Sequence, residues 1–185
     1  PEERRQLYQR LAFVQRDRRQ DHAAAFTAFM RALAEDPSDA ELLAQAEACA
    51  EKAQAWSDFL EALESRAQVT TDPEVSKRLY TSAARVANER LANVERSVDL
   101  IERALAQIGE DEELLSLAEN YHRSRGDWSA LAQSMQRRVY LLRDEHDRIE
   151  LLVTLGHLRR ERLGDLEGAL SAYEEVCERD ATHAG

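Results

Sequence analysis

Apolar residues recur along most of the chain at intervals of three and four residues, the spacing of an amphipathic α-helix. Short polar stretches interrupt this pattern, so the sequence predicts ten helices joined by short connections. Their predicted bounds are 3–17, 21–35, 39–53, 56–69, 74–91, 94–107, 111–125, 128–143, 145–163 and 166–179. Because no connection is longer than a handful of residues, consecutive helices should form five antiparallel hairpins.

The connections carry residues that end and begin helices. Asp36 and Pro37 end the second predicted helix, and Ser38 with Glu41 matches a capping box for the third. Asp72 precedes a proline at the first position of the fifth helix, a favourable start. Glycines lie at three other breaks, where a left-handed backbone is accessible to them: Gly109, Gly126 and Gly164.

The sequence also repeats, because the residue at position i often recurs at position i+72. When the chain is aligned with itself at this offset, 27 of the 113 residue pairs are identical. The matching blocks include Leu7-Tyr8 with Leu79-Tyr80, Trp56-Ser57 with Trp128-Ser129, and Arg90-Leu91 with Arg162-Leu163. A fixed period of this kind indicates an array of stacked units, each built from a few helices.

A small residue occurs at the same register in the first helix of every predicted hairpin. These residues are Ala12, Ala46, Ala84, Ala118 and Gly156, and their spacing alternates between 34 and 38. The alternation accounts for the 72-residue double unit. We expect Ala46, Ala84 and Ala118 to be buried where two helices cross closely.

The hairpins resemble the tetratricopeptide repeat family. The first hairpin has Ala25, Phe29, Ala32 and Pro37 at the family's spacing, and the last has Leu155-Gly156, Gly164-Asp165, Ala169 and Tyr173. The resemblance implies an all-α, right-handed α-solenoid of five hairpins in one array over residues 1–185. The expected hairpin bounds are about 1–36, 37–71, 72–109, 110–143 and 144–185.

Composition and charge exclude several classes of function. The chain has 36 acidic and 25 basic residues, a net charge of −11, which disfavours binding to nucleic acid. No apolar run reaches the length of a membrane span, so no membrane partner is expected. Cys49 and Cys177 match no metal or redox spacing and are predicted to be lone buried thiols, typical of a reducing compartment. We therefore expect a bacterial, cytoplasmic protein.

The sequence contains no glycine-rich phosphate loop, paired-histidine zinc helix or serine elbow. The acidic run from Asp144 to Asp147 is predicted to be the first turn of a helix. Trp56 and Trp128 should pack in the core, and Arg66 and Arg138 should pair with nearby carboxylates. No catalytic residue, cofactor or metal site is expected, so the protein should not be an enzyme.

The resemblance further implies that the first helices line a concave groove in which ligands contact residues just after the small position. The candidate partner-binding residues are Arg78, Arg85, Asn88, His122, His157 and Arg160. They predict a locally basic groove for an acidic segment or a free C-terminal carboxylate. The family's lysine–asparagine clamp for such a carboxylate is not reproduced, because Thr81 and Arg85 replace its first pair. The alternative is that all these residues are ordinary solvated side chains.

These features predict a scaffold that binds a peptide or protein through the groove or the ridge. The alternative is a structural spacer or self-association arm without a groove ligand. The chain starts at Pro1 without a methionine, and its last hairpin has no obvious polar cap. We therefore expect a piece of a longer array, with an exposed terminal hairpin around Leu166, Leu170 and Tyr173 that associates with a second molecule.

Overall fold

The computed structural model describes the backbone of residues 2–183 and the side chains of residues 2–179, and 84% of the described residues are helical. The described part contains ten α-helices and no strand, which confirms the all-α prediction. They are α1 (Glu2–Phe13), α2 (His22–Glu35), α3 (Ala40–Ala53), α4 (Trp56–Val69), α5 (Pro73–Glu89), α6 (Val94–Ile108), α7 (Glu112–Arg125), α8 (Trp128–Val139), α9 (Glu145–Leu158) and α10 (Leu166–His183). Within residues 2–183 no helix is both long and apolar enough to cross a bilayer.

The chain divides into two compact units, Pro1–Leu100 and Ile101–Gly185, with the boundary inside α6. In the first unit, α1 packs on α2, α2 on α3, α3 on α4, and α4 on α5. In the second, α7 packs on α8, α8 on α9, and α9 on α10. These helices therefore pack mainly on helices adjacent to them in sequence, as expected for hairpins with short connections.

The small residues of the first helices are buried, which confirms the prediction for Ala46, Ala84 and Ala118. Ala12, Ala46, Ala84 and Ala118 have no exposed surface, and Gly156 is also buried. At Ala84 the close approach is visible directly, because the Ser97 hydroxyl on α6 donates a hydrogen bond of 2.8 Å to the Ala84 carbonyl. A larger side chain would push the two helices apart at such a position.

The 72-residue period also governs the backbone between helices. Residues with a left-handed backbone conformation follow the first helices of the hairpins, and they form two sets of equivalent positions. The first set is Gln20, Ala92 and Gly164, and the second is Gln54 and Gly126. In the first set, the next residue caps the following helix with its side chain; these residues are Asp21, Asn93 and Asp165. Asp72 and Asp144 also correspond, and each accepts two backbone hydrogen bonds at the start of its helix. The 72-residue repeat therefore includes the connections between helices as well as the buried core.

The first helices of the odd hairpins end in a widened turn. A π-helical turn continues α1 over Val14–Arg18 and α9 over Arg159–Leu163. At the end of α5, the Leu91 amide bonds to the Val86 carbonyl, five residues back, at 3.2 Å. A turn closed by such bonds accommodates one extra residue. Counted with these turns, the three helices run further than the 14-residue first helices of the even hairpins.

Two local predictions are wrong. The cap of α3 is Asp39, whose carboxylate accepts the amides of Glu41 and Leu42 at 3.0 Å each. Ser38 instead donates its hydroxyl to Asp36 at 2.6 Å, so it forms no capping box with Glu41. The cysteines also differ from the prediction, since Cys49 is buried but Cys177 is exposed. Burial raises the pKa of the Cys49 thiol.

Candidate functional site

The candidate residues of the first unit lie on α5, where Arg85 is held by carboxylates of the same unit. Its Nη2 lies 2.9 Å from both carboxylate oxygens of Glu47 on α3, and its Nη1 lies 3.8 Å from Glu89. The Arg85 side chain keeps 38% of its surface exposed. An incoming carboxylate can therefore reach Arg85, but it has to compete with Glu47.

Arg78 and Asn88 lie on the same helix as Arg85, and both are half-buried. The Arg78 Nη2 donates to the carbonyl oxygens of Pro37 at 3.2 Å and Ser38 at 2.8 Å. Arg78 thus ties α5 to the connection between α2 and α3. Because the backbone carbonyls already use part of its guanidinium, Arg78 has a structural role in addition to being a candidate binding residue.

In the second unit the central ion pair joins α7 and α8. Arg138 donates two hydrogen bonds to the carboxylate of Glu119, at 2.6 and 3.0 Å. Only 5% of the Glu119 side chain and 19% of the Arg138 side chain are exposed. The prediction that Arg138 pairs with a carboxylate is confirmed, and the geometry is the two-point contact that arginine forms with a carboxylate.

A cleft of about 310 Å³ lies between α7 and α9, with α8 at its base. Its charged lining residues are Glu112, Glu119, Arg123, Arg138, Asp147 and Glu150. Acidic groups outnumber basic ones in this lining, and one of the two guanidiniums is paired with Glu119. This part of the first-helix surface is therefore acidic, in contrast to the basic groove expected from the sequence.

His157 and Arg160 lie near each other on the exposed surface at the end of α9. The Arg160 Nη2 is 2.7 Å from Glu161 and 3.4 Å from the His157 Nδ1. The Tyr173 hydroxyl lies 3.2 Å from the same Nδ1. Hydrogen bonding to Glu161 raises the pKa of Arg160, and Arg160 in turn lowers the pKa of Glu161. The pair is solvated, so Glu161 can be displaced by another anion at little cost.

His122 lies in a different environment from the other candidates. It is only 5% exposed, so its ring is not on the surface that a partner could contact. Its Nδ1 is buried without a hydrogen-bond partner among the described residues. This burial lowers the pKa of His122, and Asp127 opposes that effect more weakly. The equivalent residue one period earlier, Ala50, is also buried.

Trp56 is buried, as predicted, and Trp128 is half-buried. Each ring is covered by an arginine that the sequence analysis did not single out. The Arg90 guanidinium lies 4.7 Å from the Trp56 ring centre, and that of Arg162 lies 4.8 Å from Trp128. The arginine and the tryptophan both recur after 72 residues, and this shared period is the sequence signal that could have predicted their contact.

The acidic run at the start of α9 forms the first turn of the helix, as predicted. Asp144 caps the helix by accepting the amides of His146 at 2.8 Å and Asp147 at 3.2 Å. Within the described side chains, no group of three or more histidine, cysteine or acidic residues is arranged to hold a metal ion. The carboxylates of this run therefore have a local structural role.

The described residues have an all-helical repeat fold that is similar to the tetratricopeptide type. No protein-family model matches the chain, and no curated protein matches it either. Two crystal structures of MamA have a similar fold. One aligns over 100% of this chain and 96% of its own, with 17% identity and a TM-score of 0.53. The other covers 92% and 95%, with 16% identity and a TM-score of 0.50.

A third similar structure is TTC0263, described as a thermophilic TPR protein of Thermus thermophilus. It covers 95% of this chain and 91% of its own, with 22% identity. Its TM-score of 0.39 is too low to support an inference. At these identities the similarity to MamA establishes the fold alone.

Proposed function

We propose that the protein is an interaction scaffold that binds a peptide or protein partner along the surface of its first helices. The observation that carries the proposal is the ion pair between Glu47 and Arg85, which lies on that surface and is only partly buried. Such a pair presents a guanidinium together with a carboxylate that a partner's anion can replace. The proposal involves no catalytic step and no cofactor.

The partner class that fits the first unit is an acidic segment or a free C-terminal carboxylate. Arg85 supplies the two-point contact, and Arg78 and Asn88 lie on the same helix to extend it. In the second unit, Arg160 and His157 form a separate exposed group that could bind the same kind of anion. His122 has no part in the proposed contact because it is buried.

The affinity should be weak and sensitive to salt. An exposed ion pair contributes about 0–1 kcal/mol, and the partner must also replace Glu47. The test is a titration of fluorescent acidic peptides, with free and amidated C-termini, at two salt concentrations. We expect affinity to fall as the salt concentration rises, because screening shortens the range of charge interactions. Equal affinity at both concentrations would contradict the proposal.

Two variants test whether the charged side chains of these surfaces carry the binding. The Glu47→Gln variant removes the competing charge, so it should bind acidic peptides more tightly than the unmodified protein. A triple variant with Arg85→Ala, Asn88→Ala and Arg160→Ala should lose binding. If Glu47→Gln weakens binding of the acidic peptide, Glu47 does not compete with the peptide for Arg85, and the proposal is contradicted.

A second candidate function is self-association, and it rests on the exposed apolar face of α10. Leu166 is 69% exposed and Leu170 is 57% exposed, as the sequence predicted for this hairpin. A cleft of about 390 Å³ beside them is lined by Leu170, Tyr173 and Cys177 together with two glutamates. Analytical ultracentrifugation over a hundredfold range of concentration tests this function. A monomer at every concentration would rule it out for this chain.

A further inference from the structure

A cleft of about 340 Å³ lies in the first unit, between the α2–α3 connection and the α4–α5 connection. Pro37, Val69 and Val75 give it an apolar surface, and Val69 is 68% exposed. Among the described residues, neither Glu47 nor Arg85 lines it. The volume lies within the range of protein ligand pockets. We call this the Arg66 cleft, after the arginine in its wall.

Three carboxylates line the Arg66 cleft, and each of them already has a partner. Glu35 accepts a hydrogen bond of 3.1 Å from Arg4, and Asp36 accepts one of 2.7 Å from Arg5. Asp72 accepts two backbone amides at the start of α5, where the helix dipole favours a negative charge. The negative charge of the lining is therefore compensated within the unit.

Arg66 is the charged residue of this lining whose side chain has no partner. It forms no hydrogen bond or ion pair among the side chains of residues 2–179, so the prediction that Arg66 pairs with a carboxylate is wrong. The residue is half-buried, but none of its guanidinium nitrogens is sealed from solvent. The cleft therefore presents an accessible guanidinium beside an apolar surface.

The second unit shows which group such an arginine binds. Arg138, the counterpart of Arg66, holds the Glu119 carboxylate at two points. The counterpart of Glu119 is Glu47, but both carboxylate oxygens of Glu47 accept hydrogen bonds from Arg85. Arg66 is therefore left without the carboxylate that its counterpart holds, because another arginine of the first unit binds it.

The side chains around Arg66 are also smaller and more apolar than those at the equivalent place in the second unit. Leu142 is buried in the core of that unit, and its counterpart Thr70 lines the cleft and donates its hydroxyl to the Arg66 carbonyl at 2.7 Å. Because threonine is smaller than leucine, it leaves space that leucine fills in a close-packed core. Val75 takes the place of the charged Asp147, which makes the wall of the cleft apolar.

We propose that the Arg66 cleft binds a glutamate side chain of a partner protein together with an apolar side chain next to it. The Arg66 guanidinium binds the carboxylate at two points, as Arg138 does in the second unit. Inside a cleft this contact is screened less by water than on an open surface. The apolar side chain packs on Val69 and Val75 and removes their surface from water. This proposal does not depend on binding at Arg85.

The probe is the peptide acetyl-Gly-Leu-Glu-Leu-Gly-amide, in which leucine flanks the glutamate on both sides. In an NMR titration of the whole isotope-labelled protein, we expect weak, saturable binding with the largest shifts at the amides of Val69, Thr71 and Val75. The same peptide with glutamine in place of glutamate should bind at least about fivefold more weakly, because it lacks the charge. Replacing both leucines by glycine should weaken binding about two- to fivefold, because apolar contact is lost.

Variants of the protein locate the contact. Arg66→Gln should weaken binding of the glutamate peptide at least about fivefold, because the charge-assisted bonds are lost. Thr70→Leu keeps the guanidinium but fills the cleft, so it should also weaken binding at least about fivefold. The matched control is Arg143→Gln in the second unit, since Arg143 is exposed and its side chain has no partner among residues 2–179. This control should leave binding unchanged. Circular dichroism checks that each variant keeps its helices.

Four results would overturn the proposal. The first is no saturable shift at the highest soluble concentration of the glutamate peptide. The second is unchanged binding in Arg66→Gln or in Thr70→Leu. The third is binding that Arg85→Gln abolishes and Arg66→Gln does not, which would place the peptide on the surface of the first helices. The fourth is equally tight binding of the glutamine peptide with a free C-terminus, because the cleft would then take a terminal carboxylate.

Discussion

Glu47 in the first unit and Glu119 in the second are equivalent residues, but they pair with arginines on different helices. Glu47 bonds to Arg85 on the next first helix, whereas Glu119 bonds to Arg138 on the helix between. The counterpart of Arg85 is His157, which has no guanidinium with which to hold a carboxylate at two points. The Glu47–Arg85 pair of the first unit is therefore half-exposed, whereas the Glu119–Arg138 pair of the second unit is largely buried.

This difference shows which parts of the repeat are fixed and which vary. The backbone of the chain reversals, the positions of the small residues and the arginine–tryptophan contact are common to both units. The charges on the first helices differ, since Arg78 of the first unit is replaced by Glu150 in the second. The common framework therefore presents different electrostatic surfaces in its two units, as a scaffold with two distinct contacts would require.

The largest expected effect comes from breaking the buried pair. Arg138→Ala leaves the Glu119 carboxylate buried without its partner, so it should lower the free energy of unfolding by about 3–5 kcal/mol. Arg85→Ala breaks the exposed pair and should lower it by about 1 kcal/mol or less. Urea unfolding followed by circular dichroism measures both. Equal losses would mean that burial does not distinguish the two pairs.

A second difference lies at Ala84 and its counterpart Gly156. A β-carbon at Gly156 would lie 2.5 Å from the Tyr173 ring, too close for any real contact. Gly156→Ala should therefore destabilise the protein by about 1–3 kcal/mol, despite the better helix propensity of alanine. The substitution should be harmless when Tyr173→Leu is also made. If the double variant is as unstable as Gly156→Ala alone, Tyr173 is not the cause.

Ala92 and Gly164 both have a left-handed backbone, so reverse substitutions at the two positions should have opposite effects on stability. Ala92 has a φ of 49°, a conformation that costs an L-residue about 1–2 kcal/mol. Ala92→Gly should raise the free energy of unfolding by up to about 1 kcal/mol, and Gly164→Ala should lower it by about 1 kcal/mol. Thermal unfolding detects both shifts. As a control, Ala106→Gly within α6 should destabilise by about 1 kcal/mol, as expected for an ordinary helical position.

The arginine–tryptophan contacts should respond alike in the two units. Arg90→Gln and Arg162→Gln should each lower the free energy of unfolding by about 0.5–1 kcal/mol, the usual value of such a contact at the surface. Arg18→Gln should have no comparable effect on the isolated protein, because Arg18 covers no tryptophan within residues 2–179. If Arg18→Gln lowers the free energy of unfolding as much as the other two substitutions do, the stabilisation by these arginines does not depend on the tryptophan ring.

The smallest effect concerns pH and His122. Burial lowers the pKa of this histidine in the folded protein, so the unfolded chain takes up its proton first as the pH falls. Its contribution to stability is therefore present above the unfolded pKa of about 6.5 and is lost as the pH falls toward the folded pKa. Unfolding free energies at pH 7 and pH 5 should differ less in His122→Gln than in the unmodified protein. An unchanged difference would show that other groups control the acid response.

The sequence predicts the helices and the period because both depend on patterns that repeat along the chain. The small residues could also be predicted to be buried, since their spacing fixes where helices cross. The pairing of charges could not be predicted in the same way. Arg85 and Glu47 are 38 residues apart, and their contact depends on how neighbouring helices orient two long side chains. The cleft of the second unit is acidic because α7 and α9 carry Glu112, Asp147 and Glu150 along it.

Local geometry explains the remaining errors. Ser38 and Asp39 are both good helix caps, and the choice between them depends on where α3 begins. In the structure the helix begins one residue later than the pattern suggests, because Ser38 bonds to Asp36. The burial of His122 follows from the helices around it, which a single sequence does not reveal. Such features require the three-dimensional arrangement of the chain.

The packing of each helix on its neighbours in sequence also has a consequence for how the protein forms. Proteins dominated by contacts between nearby parts of the chain fold rapidly, because little loop entropy is lost before contacts form. In helical-repeat arrays, structure can begin in one repeat and spread to the next. During synthesis, the α1–α2 pair can thus close as soon as the ribosome releases α2. Each later helix then finds its packing surface already in place.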